Sequence, residues 1–239
     1  TNHIDVIIDA RLRMIELLSE RRQAVITETV TETSGVNKTA NAKPRSLKFL
    51  LDAKVMDGPH ETPEWVEEGV PFLSVDNFIN GQIDFSGCRF ISEEDHFRYS
   101  KKAKPQFGDL LLTKSASVGK VACVPSQPEF NIWSPIAIIR PNPKILSRYF
   151  LYYFFQSKTF EHQLKERSTS STQQNISMDA ISALLVPVPP LSEQQEIADY
   201  LDRETNRIDA IIGKCRESVE LLRERRQALI TAAVTGELE

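Results

Sequence analysis

Residues 205–235 read TNRIDAIIGKCRESVELLRERRQALITAAVT, and residues 1–31 read TNHIDVIIDARLRMIELLSERRQAVITETVT. The two stretches agree at about eighteen of their thirty-one positions, so the chain contains an internal repeat. Both copies lack proline and carry apolar residues three, four and seven positions apart, which predicts an amphipathic α-helix for each. Two related helices therefore bracket the rest of the chain.

The second copy belongs to a longer predicted helix. Pro189 and Pro190 keep the chain extended, and Ser192 is placed as an N-cap with Gln195 completing a capping box. The helix is expected to run from there to about Val234, and the first copy from Asn2 to about Thr31. Apolar residues recur at heptad spacing, which is typical of a coiled coil. A helix this long needs another helix to cover its apolar side.

The simplest arrangement is an antiparallel pair of these two helices within one chain, and pairing only between molecules is the alternative. Changes along the contact are expected to disturb assembly and leave ligand recognition intact. The expected contact residues are Ile4, Ile8, Ile15, Leu18, Val25, Ile197, Leu201, Ile208, Ile212, Val219, Leu222 and Leu229.

Between the helices the pattern changes to short apolar runs bounded by Gly, Pro, Asn or Asp, which is typical of β-strands. The runs are 47–51, 71–75, 88–91, 109–113, 121–125 and 136–140. Asn80-Gly81 predicts a tight turn, and residues 147–167, which lack Gly and Pro, predict one helix. The sequence thus predicts an α+β domain over residues 34–190, flanked by helical segments over 1–33 and 191–239.

Composition narrows the class of protein. The net charge of −4 is weak evidence against nucleic-acid binding, so any basic surface must be local. The sequence has neither a run of about twenty apolar residues nor a signal-peptide pattern, so no membrane association is expected. Because residue 1 lies inside a helical pattern, we expect a fragment. Three widely spaced cysteines (Cys88, Cys123 and Cys215) fit a cytoplasmic protein without a disulfide framework.

Motifs of the common catalytic and metal sites are missing from the sequence. Residues 115–120 contain one glycine and lack the second anchor of a phosphate-binding loop. No Gly-x-Ser-x-Gly motif is present, and the histidines stand apart from one another. The carboxylates at 67–68 and 93–95 are more often solvated surface than a magnesium site. We therefore expect no catalytic residues and no metal in this chain.

Two stretches have the chemistry of nucleic-acid recognition. The first mixes cations, aromatic rings and hydroxyls, and cations neutralise phosphates while hydroxyls position or read base edges. Its candidate residues are Arg89, Arg98, Lys101, Lys102, Lys104, Lys114, Ser115, Ser117 and Lys120. The second is a polar tract, and its candidates are Arg167, Ser170, Thr172, Gln173, Gln174 and Asn175. Solvated loops explain both stretches equally well on the residues alone.

Several motifs resemble the specificity subunits of type I restriction-modification systems. The most specific is PVPPLSEQQEIADYLD over residues 187–202, which continues into Thr205-x-x-Ile208-Asp209. Similar matches are found at 224–230 and 234–236. The middle block carries Gly-x-Pro-Phe-Leu-x-Val at 69–75, Gly-Asp-Leu-Leu-Leu-Thr at 108–113 and Gln-Asn-Ile-Ser at 174–177. The resemblance covers nearly the whole chain.

That resemblance implies a function. In the family, two target recognition domains each read half of a split DNA sequence, and long antiparallel helices set the spacing and dock methyltransferase and restriction subunits. S-adenosylmethionine, ATP and Mg²⁺ would belong to those partners and not to this chain. Because only one recognition domain is present, the resemblance implies a half-subunit, and two copies could form a homodimer through the helices.

Two other functions stay open at this stage. One is a dimeric, repressor-like DNA-binding protein without partner subunits, which mixing with methyltransferase subunits would separate from the first reading. The other is a stand-alone nuclease or methyltransferase that uses carboxylates between Glu93 and Asp109. Incubation with DNA, magnesium and S-adenosylmethionine would exclude it if the DNA came back unchanged.

Overall fold

The computed structural model describes residues 2–31, 43–79, 81–115, 117–167 and 175–236. The chain divides into two compact units: Thr1–Val25 with Asp199–Glu239, and Ile26–Ala198. The helices are α1 (Asn2–Thr31), α2 (Glu93–Ser100), α3 (Arg148–Phe154), α4 (Lys158–Arg167), α5 (Met178–Ser182) and α6 (Leu191–Thr235). The domain limits expected at residues 34 and 190 stay a prediction.

In the first unit, α1 and α6 form an antiparallel pair. Arg22 Nε lies 3.0 Å from Asp209 Oδ1, and Arg226 Nε lies 2.6 Å from Asp5 Oδ1. An early residue of α1 thus pairs with a late residue of α6, and a late residue of α1 with an early one of α6, as antiparallel helices require. Asp209 and Arg226 occupy in the second copy the positions of Asp5 and Arg22 in the first, so the repeat forms the same ion pair twice. The expected pairing within one chain is confirmed.

The apolar stripes of the two helices are covered to different degrees. Cys215, at one of the heptad positions, packs its sulfur 3.7 Å from that of Met14. The expected contact residues that are buried are Ile8, Ile197, Leu201, Ile208, Ile212 and Val219. Those that are half-buried are Ile4, Ile15, Leu18, Val25, Leu222 and Leu229.

The second unit is built on short strands. They are β1 (Arg45–Ser46), β2 (Met56–Asp57), β3 (Trp65–Val66), β4 (Val70–Leu73), β5 (Phe78–Ile79), β6 (Gln82–Ile83), β7 (Arg89–Ile91), β8 (Leu110–Thr113), β9 (Val121–Cys123), β10 (Asn131–Ile132), β11 (Ile136–Ile139) and β12 (Leu185–Val186). Among the described residues they form two four-stranded sheets, β10-β4-β7-β3 and β2-β11-β8-β9, and two-stranded pairs β1-β12 and β5-β6. Only the β10–β4 pairing is parallel within this set. The expected α+β class is confirmed.

The second sheet forms the centre of the domain. All residues of β8 and β11 are buried, because apolar side chains on both faces of these strands pack against other elements. Ile136 pairs with Thr113 and Ile139 with Leu110, so the two strands run antiparallel. The other sheet contributes an aromatic cluster in which Trp65, Phe72 and Trp133 meet edge to face. The tight turn predicted at 80–81 agrees with the antiparallel β5–β6 pair and with φ 76° at Gly81, and Asn80 itself lies outside the described residues.

Three local predictions are wrong. Residues 47–51 contain a 3₁₀ turn, Leu47–Phe49, because Leu47 and Leu50 both point inward and are three positions apart. The single helix over 147–167 is broken into α3 and α4 at buried Ser157, whose hydroxyl accepts from Phe160 N at 3.2 Å and so caps the second helix. Helix α6 begins before Ser192, since Pro190 O already accepts from Gln194 N.

Gln194 ties the first turn of α6 to the loop before α3. Its Oε1 accepts from Ser147 N at 2.7 Å. Its Nε2 donates to Ile145 O at 2.9 Å and to Pro189 O at 2.8 Å. The Gln194 side chain is fully buried, so water cannot take its place as the hydrogen-bond partner of these backbone groups. Gln194 is therefore a buried hydrogen-bonding hub that the sequence motif alone did not reveal.

Replacing Gln194 by leucine is expected to lower the free energy of unfolding by about 2 kcal/mol, because buried backbone groups lose their partners. Urea denaturation followed by circular dichroism measures the change. The matched control is Glu196→Ala, an exposed position on the same helix, which is expected to change stability by less than about 0.5 kcal/mol. Equal stabilities of the two variants would contradict the assignment.

Candidate nucleic-acid interface

The loop after β8 is closed on a single threonine. The Thr113 hydroxyl hydrogen bonds to Ser117 O and accepts from Lys120 N at 3.0 Å. Thr113 O accepts from Gly119 N at 2.9 Å, and Gly119 has φ 94°, a conformation that glycine adopts without strain. These bonds hold Ser117 and Lys120 exposed at the end of the sheet.

The two stretches proposed for nucleic-acid contact meet at this loop. Ser115 and Asn175 form an antiparallel β-bridge, and Ile176 N donates to Lys114 O at 2.9 Å. A Cβ on Gly119 would lie 3.1 Å from Leu164 of α4, so that helix also packs close to the loop. Ser115, Ser117, Lys120 and Asn175 therefore belong to one surface, which we call the Ser115–Asn175 surface.

Arg167, the last residue of α4, is half-buried and donates to Gln163 O at 3.3 Å. It precedes the polar tract, most of which lies outside the described residues. The candidates for which the structure gives no position are Ser170, Thr172, Gln173 and Gln174. Their roles stay predictions.

Asp57, which no sequence motif singles out, lies between two of the candidate lysines. Its carboxylate is 2.9 Å from Lys102 Nζ, 3.2 Å from Lys114 Nζ and 3.3 Å from His60 Nε2. The Asp57 side chain is 3% exposed and that of Lys114 is 13% exposed. Lys102 Nζ also donates to Gly58 O at 2.8 Å. A buried carboxylate thus holds two of the candidate lysines.

Two opposed effects set the pKa of Asp57. Burial alone would raise it, but hydrogen bonds from Lys102 and Lys114 outweigh burial and keep the pKa below its ordinary value. A carboxyl group with a lowered pKa stabilises the folded state at neutral pH. That stabilisation is lost as the pH falls below the ordinary range of aspartate and through the pKa of the folded state.

The cations around α2 differ in how far they are neutralised. Lys104 lies 2.8 Å from Glu129, and Arg98 lies 2.7 Å from Asp95 and 3.4 Å from Glu61. Pairs whose cation is exposed in this way are weak, but each places a carboxylate where a phosphate would compete with it.

Arg89 and Lys101 instead lie over aromatic rings, 4.9 Å from the Trp65 centroid and 4.4 Å from the Phe97 centroid. Within the described part of the chain, no carboxylate pairs with Arg89, Lys101 or Lys120. These three cations are therefore the most available to phosphates among the candidates.

A second polar cluster fixes α2 on the first sheet. His96 Nδ1 lies 2.6 Å from Asn131 Oδ1, and Asn131 Nδ2 donates to Ser100 Oγ at 3.3 Å. Asn131 is buried on β10, so the contact links the helix to the edge of the sheet. The cluster positions the cations of α2 and lies among groups that already bond to each other.

Two other kinds of site are absent from the described ranges. No group of three or more His, Cys, Asp or Glu side chains there could hold a metal ion. None of the described helices is both long and apolar enough to cross a membrane. None of the three cysteines, Cys88, Cys123 and Cys215, forms a disulfide bond.

Solved structures share the fold. A chain from a study of complex assembly and conformational transition in the type I R-M system matches with a TM-score of 0.76 at 20% identity, covering 97% of this chain and 55% of that chain. The HsdS subunit from Thermoanaerobacter tengcongensis matches with a TM-score of 0.60 at 19% identity, covering 99% of this chain and 55% of that chain. At these identities the likeness concerns the fold.

The curated sequences that match this chain include specificity subunits of type I restriction enzymes. The type I restriction enzyme EcoBI specificity subunit of Escherichia coli is 24% identical over 173 residues, which cover 72% of this chain and 36% of that subunit. The putative MjaX specificity subunit of Methanocaldococcus jannaschii is 26% identical over 201 residues, which cover 80% of this chain and 45% of that subunit. The chain therefore spans less than half the length of these relatives.

The family model described as "Type I restriction modification DNA specificity domain" matches residues 53–221. This range covers well over half of the chain and includes β8, β11, the Ser115–Asn175 surface and most of α6. The resemblance seen in the sequence motifs is confirmed: this chain belongs to the family of type I restriction-modification DNA specificity domains.

Proposed function

We propose that this chain reads one half of a bipartite double-stranded DNA target for a type I restriction-modification system, without catalysing a reaction itself. The observation that carries the proposal is the Ser115–Asn175 surface, which lies within the residues that match a DNA specificity domain. It combines hydroxyls, an amide and the exposed cation of Lys120. Hydroxyl and amide groups can hydrogen bond to base edges in the major groove.

The cations supply binding that does not depend on sequence. Arg89, Lys101 and Lys120 are exposed and lack carboxylate partners in the described ranges, which suits them to phosphate contacts. The net charge of −4 does not oppose this role, because the excess of negative charge lies in the helical segments 1–33 and 191–239, whereas residues 34–190 carry 18 Lys and Arg against 16 Asp and Glu.

The antiparallel helix pair is proposed to set spacing and to dock methyltransferase and restriction subunits. S-adenosylmethionine, ATP and Mg²⁺ are then required by those partners and not by this chain. The repeat supports a two-fold arrangement, since Asp5–Arg226 and Asp209–Arg22 are equivalent ion pairs. A homodimer formed through such helices would read an inverted repeat. The assembly is expected in the cytoplasm, where the host DNA is.

Replacing Lys120 by alanine is expected to weaken DNA binding equally for all sequences and to lower the salt dependence, log Kd against log salt concentration, by about 0.9. Fluorescence anisotropy with two unrelated duplexes measures both effects. Lys144→Ala is the matched control, because Lys144 is an exposed lysine beyond the other end of β11. A salt slope equal to that of the parent chain would contradict the phosphate contact.

Lys114→Ala is a useful companion in the same assay. As a candidate phosphate contact in the sequence, Lys114 would give an effect like that of Lys120→Ala. With a side chain that is 13% exposed and paired with Asp57, Lys114 reaches a phosphate only if that ion pair opens. A salt slope lowered as much as in Lys120→Ala would show that Lys114 contacts a phosphate in the complex, and a slope equal to that of the parent chain would show that it does not.

A further inference from the structure

A cavity of about 590 Å³ opens beside the first turn of α6, wholly within the second unit. Its lining brings together two of the motifs that carry the family resemblance. Gly108 and Asp109 come from the loop before β8, and Leu191 and Gln195 come from the first turns of α6. The DNA-reading role proposed above does not use this cavity.

The floor of the cavity is formed by the ion pair of Arg140 with Asp109, whose charges cancel. Arg140 Nε lies 2.7 Å from Asp109 Oδ1, and Arg140 Nη2 donates to Asp109 Oδ2 at 2.8 Å. The same guanidinium donates to Lys104 O at 3.2 Å, and Asp109 Oδ2 accepts from Gln106 N at 2.8 Å. Arg140 thus directs Nε and Nη2 to acceptors within the domain, and Asp109 balances its charge.

The rim of the cavity is apolar and carries a second cation. The Arg148 guanidinium lies 4.2 Å from the Phe107 ring centroid and 4.5 Å from that of Tyr149. In the part of the chain that the structure describes, no carboxylate pairs with Arg148. Phe107 is 65% exposed, Tyr149 40% and Leu191 39%. Such exposed rings beside arginine are typical of the centre of a protein–protein interface.

The location of the cavity argues against DNA as its occupant. Asp109 and Arg140 flank the end of β8 and β11 at which Leu110 pairs with Ile139. The Ser115–Asn175 surface follows the opposite end, at which Thr113 pairs with Ile136, roughly 10 Å along the strands. Among the charged side chains of the lining, Asp52 and Asp109 balance Arg140 and Arg148, so the cavity has no excess of positive charge to attract a polyanion.

We propose that this cavity docks a segment of the methyltransferase partner that carries an apolar side chain next to a carboxylate. The apolar group fills the space among Phe107, Tyr149 and Leu191, and the carboxylate pairs with Arg148. Desolvation by the surrounding rings strengthens this ion pair over one in open water. The inference rests on the proposed function, since it names where one of the required partners binds.

Affinity for the cognate methyltransferase subunit, measured by isothermal titration with the full chain, tests the proposal. Arg148→Ala and Phe107→Ser are each expected to weaken that affinity at least tenfold, which corresponds to about 1.4 kcal/mol. Affinity for duplex DNA, measured on the same samples without the partner, is expected to stay within about twofold of the parent value. Lys144→Ala, which changes an exposed cation of the same loop whose residue is not part of the cavity lining, is the matched control and should alter neither affinity.

The chemistry of the occupant has its own test. 4-Phenylbutyrate at millimolar concentration is expected to compete with the methyltransferase subunit, and 4-phenylbutylamine is not. Equal competition by both compounds would overturn the carboxylate assignment. Thermal unfolding of each variant checks that the fold is retained, and the competition experiment uses the unaltered chain and so does not depend on the variants.

The outcomes separate this inference from the proposed function. If the parent chain binds the methyltransferase subunit and both variants bind it equally well, the docking site is wrong and the proposed function stands. If the variants lose DNA affinity and keep partner affinity, the cavity is a DNA contact and the inference is overturned. If the parent chain does not bind the methyltransferase subunit, both the docking site and the partner assignment fail, whatever the DNA affinity.

Discussion

Replacing Asp109 by alanine is expected to lower the free energy of unfolding by about 3–5 kcal/mol. Asp109 is 1% exposed, and its two carboxylate oxygens accept from Arg140 at 2.7 and 2.8 Å. Without the carboxylate, the guanidinium of Arg140 stays largely buried and loses its counter-ion, and Gln106 N loses its acceptor. The cost comes from that unpaired charge more than from the lost attraction.

Urea denaturation measures this change as a lower midpoint at an unchanged slope. Glu129→Ala is the matched control, because it breaks an ion pair of similar length, Lys104–Glu129 at 2.8 Å, whose partners are both exposed. That variant should lose no more than about 1 kcal/mol. Asp109→Leu combined with Arg140→Met should recover much of the loss, since neither charge is then buried. Equal losses for Asp109→Ala and Glu129→Ala would contradict the role given to burial.

Replacing Asp57 by asparagine is expected to destabilise the fold and to strengthen DNA binding. The free energy of unfolding should fall by about 3 kcal/mol, because Lys114 is left 13% exposed without a full counter-ion. DNA binding without sequence preference should become stronger and more dependent on salt, because Lys102 and Lys114 are released from the carboxylate. The salt slope is expected to steepen by about 0.9 for each lysine that reaches a phosphate.

Fluorescence anisotropy with a random-sequence duplex at several salt concentrations measures the second effect, on samples kept well below the unfolding temperature. Asp76→Asn is the matched control, since this exposed carboxylate has no lysine or arginine partner among the described residues. Both variants remove one negative charge, so a general change in net charge would affect them equally. An equal increase in salt slope for both would show that Asp57 does not restrain the two lysines.

The sequence predicted those elements whose pattern is local. Strands β8 and β11 are continuous apolar runs because they are buried on both faces, and α1 and α6 keep their periodicity over many turns. The repeat also predicted the antiparallel pairing of α1 with α6. Residues 47–51 were assigned wrongly because a short apolar run does not reveal whether its side chains alternate or recur every third position.

The candidate surface could be predicted only in part, for a physical reason. Ser115 and Asn175 were both selected, but the bridge between them depends on how α4 returns the chain to the end of β8. Lys102 and Lys114 were selected as free cations, and only the folded chain brings Asp57 between them. Burial and ion pairing between distant residues decide which charges are available, and one sequence does not contain those distances.

The most direct test of sequence-specific recognition is a selection from randomised duplex DNA by this chain, alone and with its methyltransferase subunit. We predict that a single short motif is enriched, once or as an inverted repeat with a fixed spacer, and that Asn175→Ala changes the bases preferred within it. Recovery of duplexes without any common motif, at an affinity that follows salt concentration alone, would contradict the proposed reading of DNA sequence.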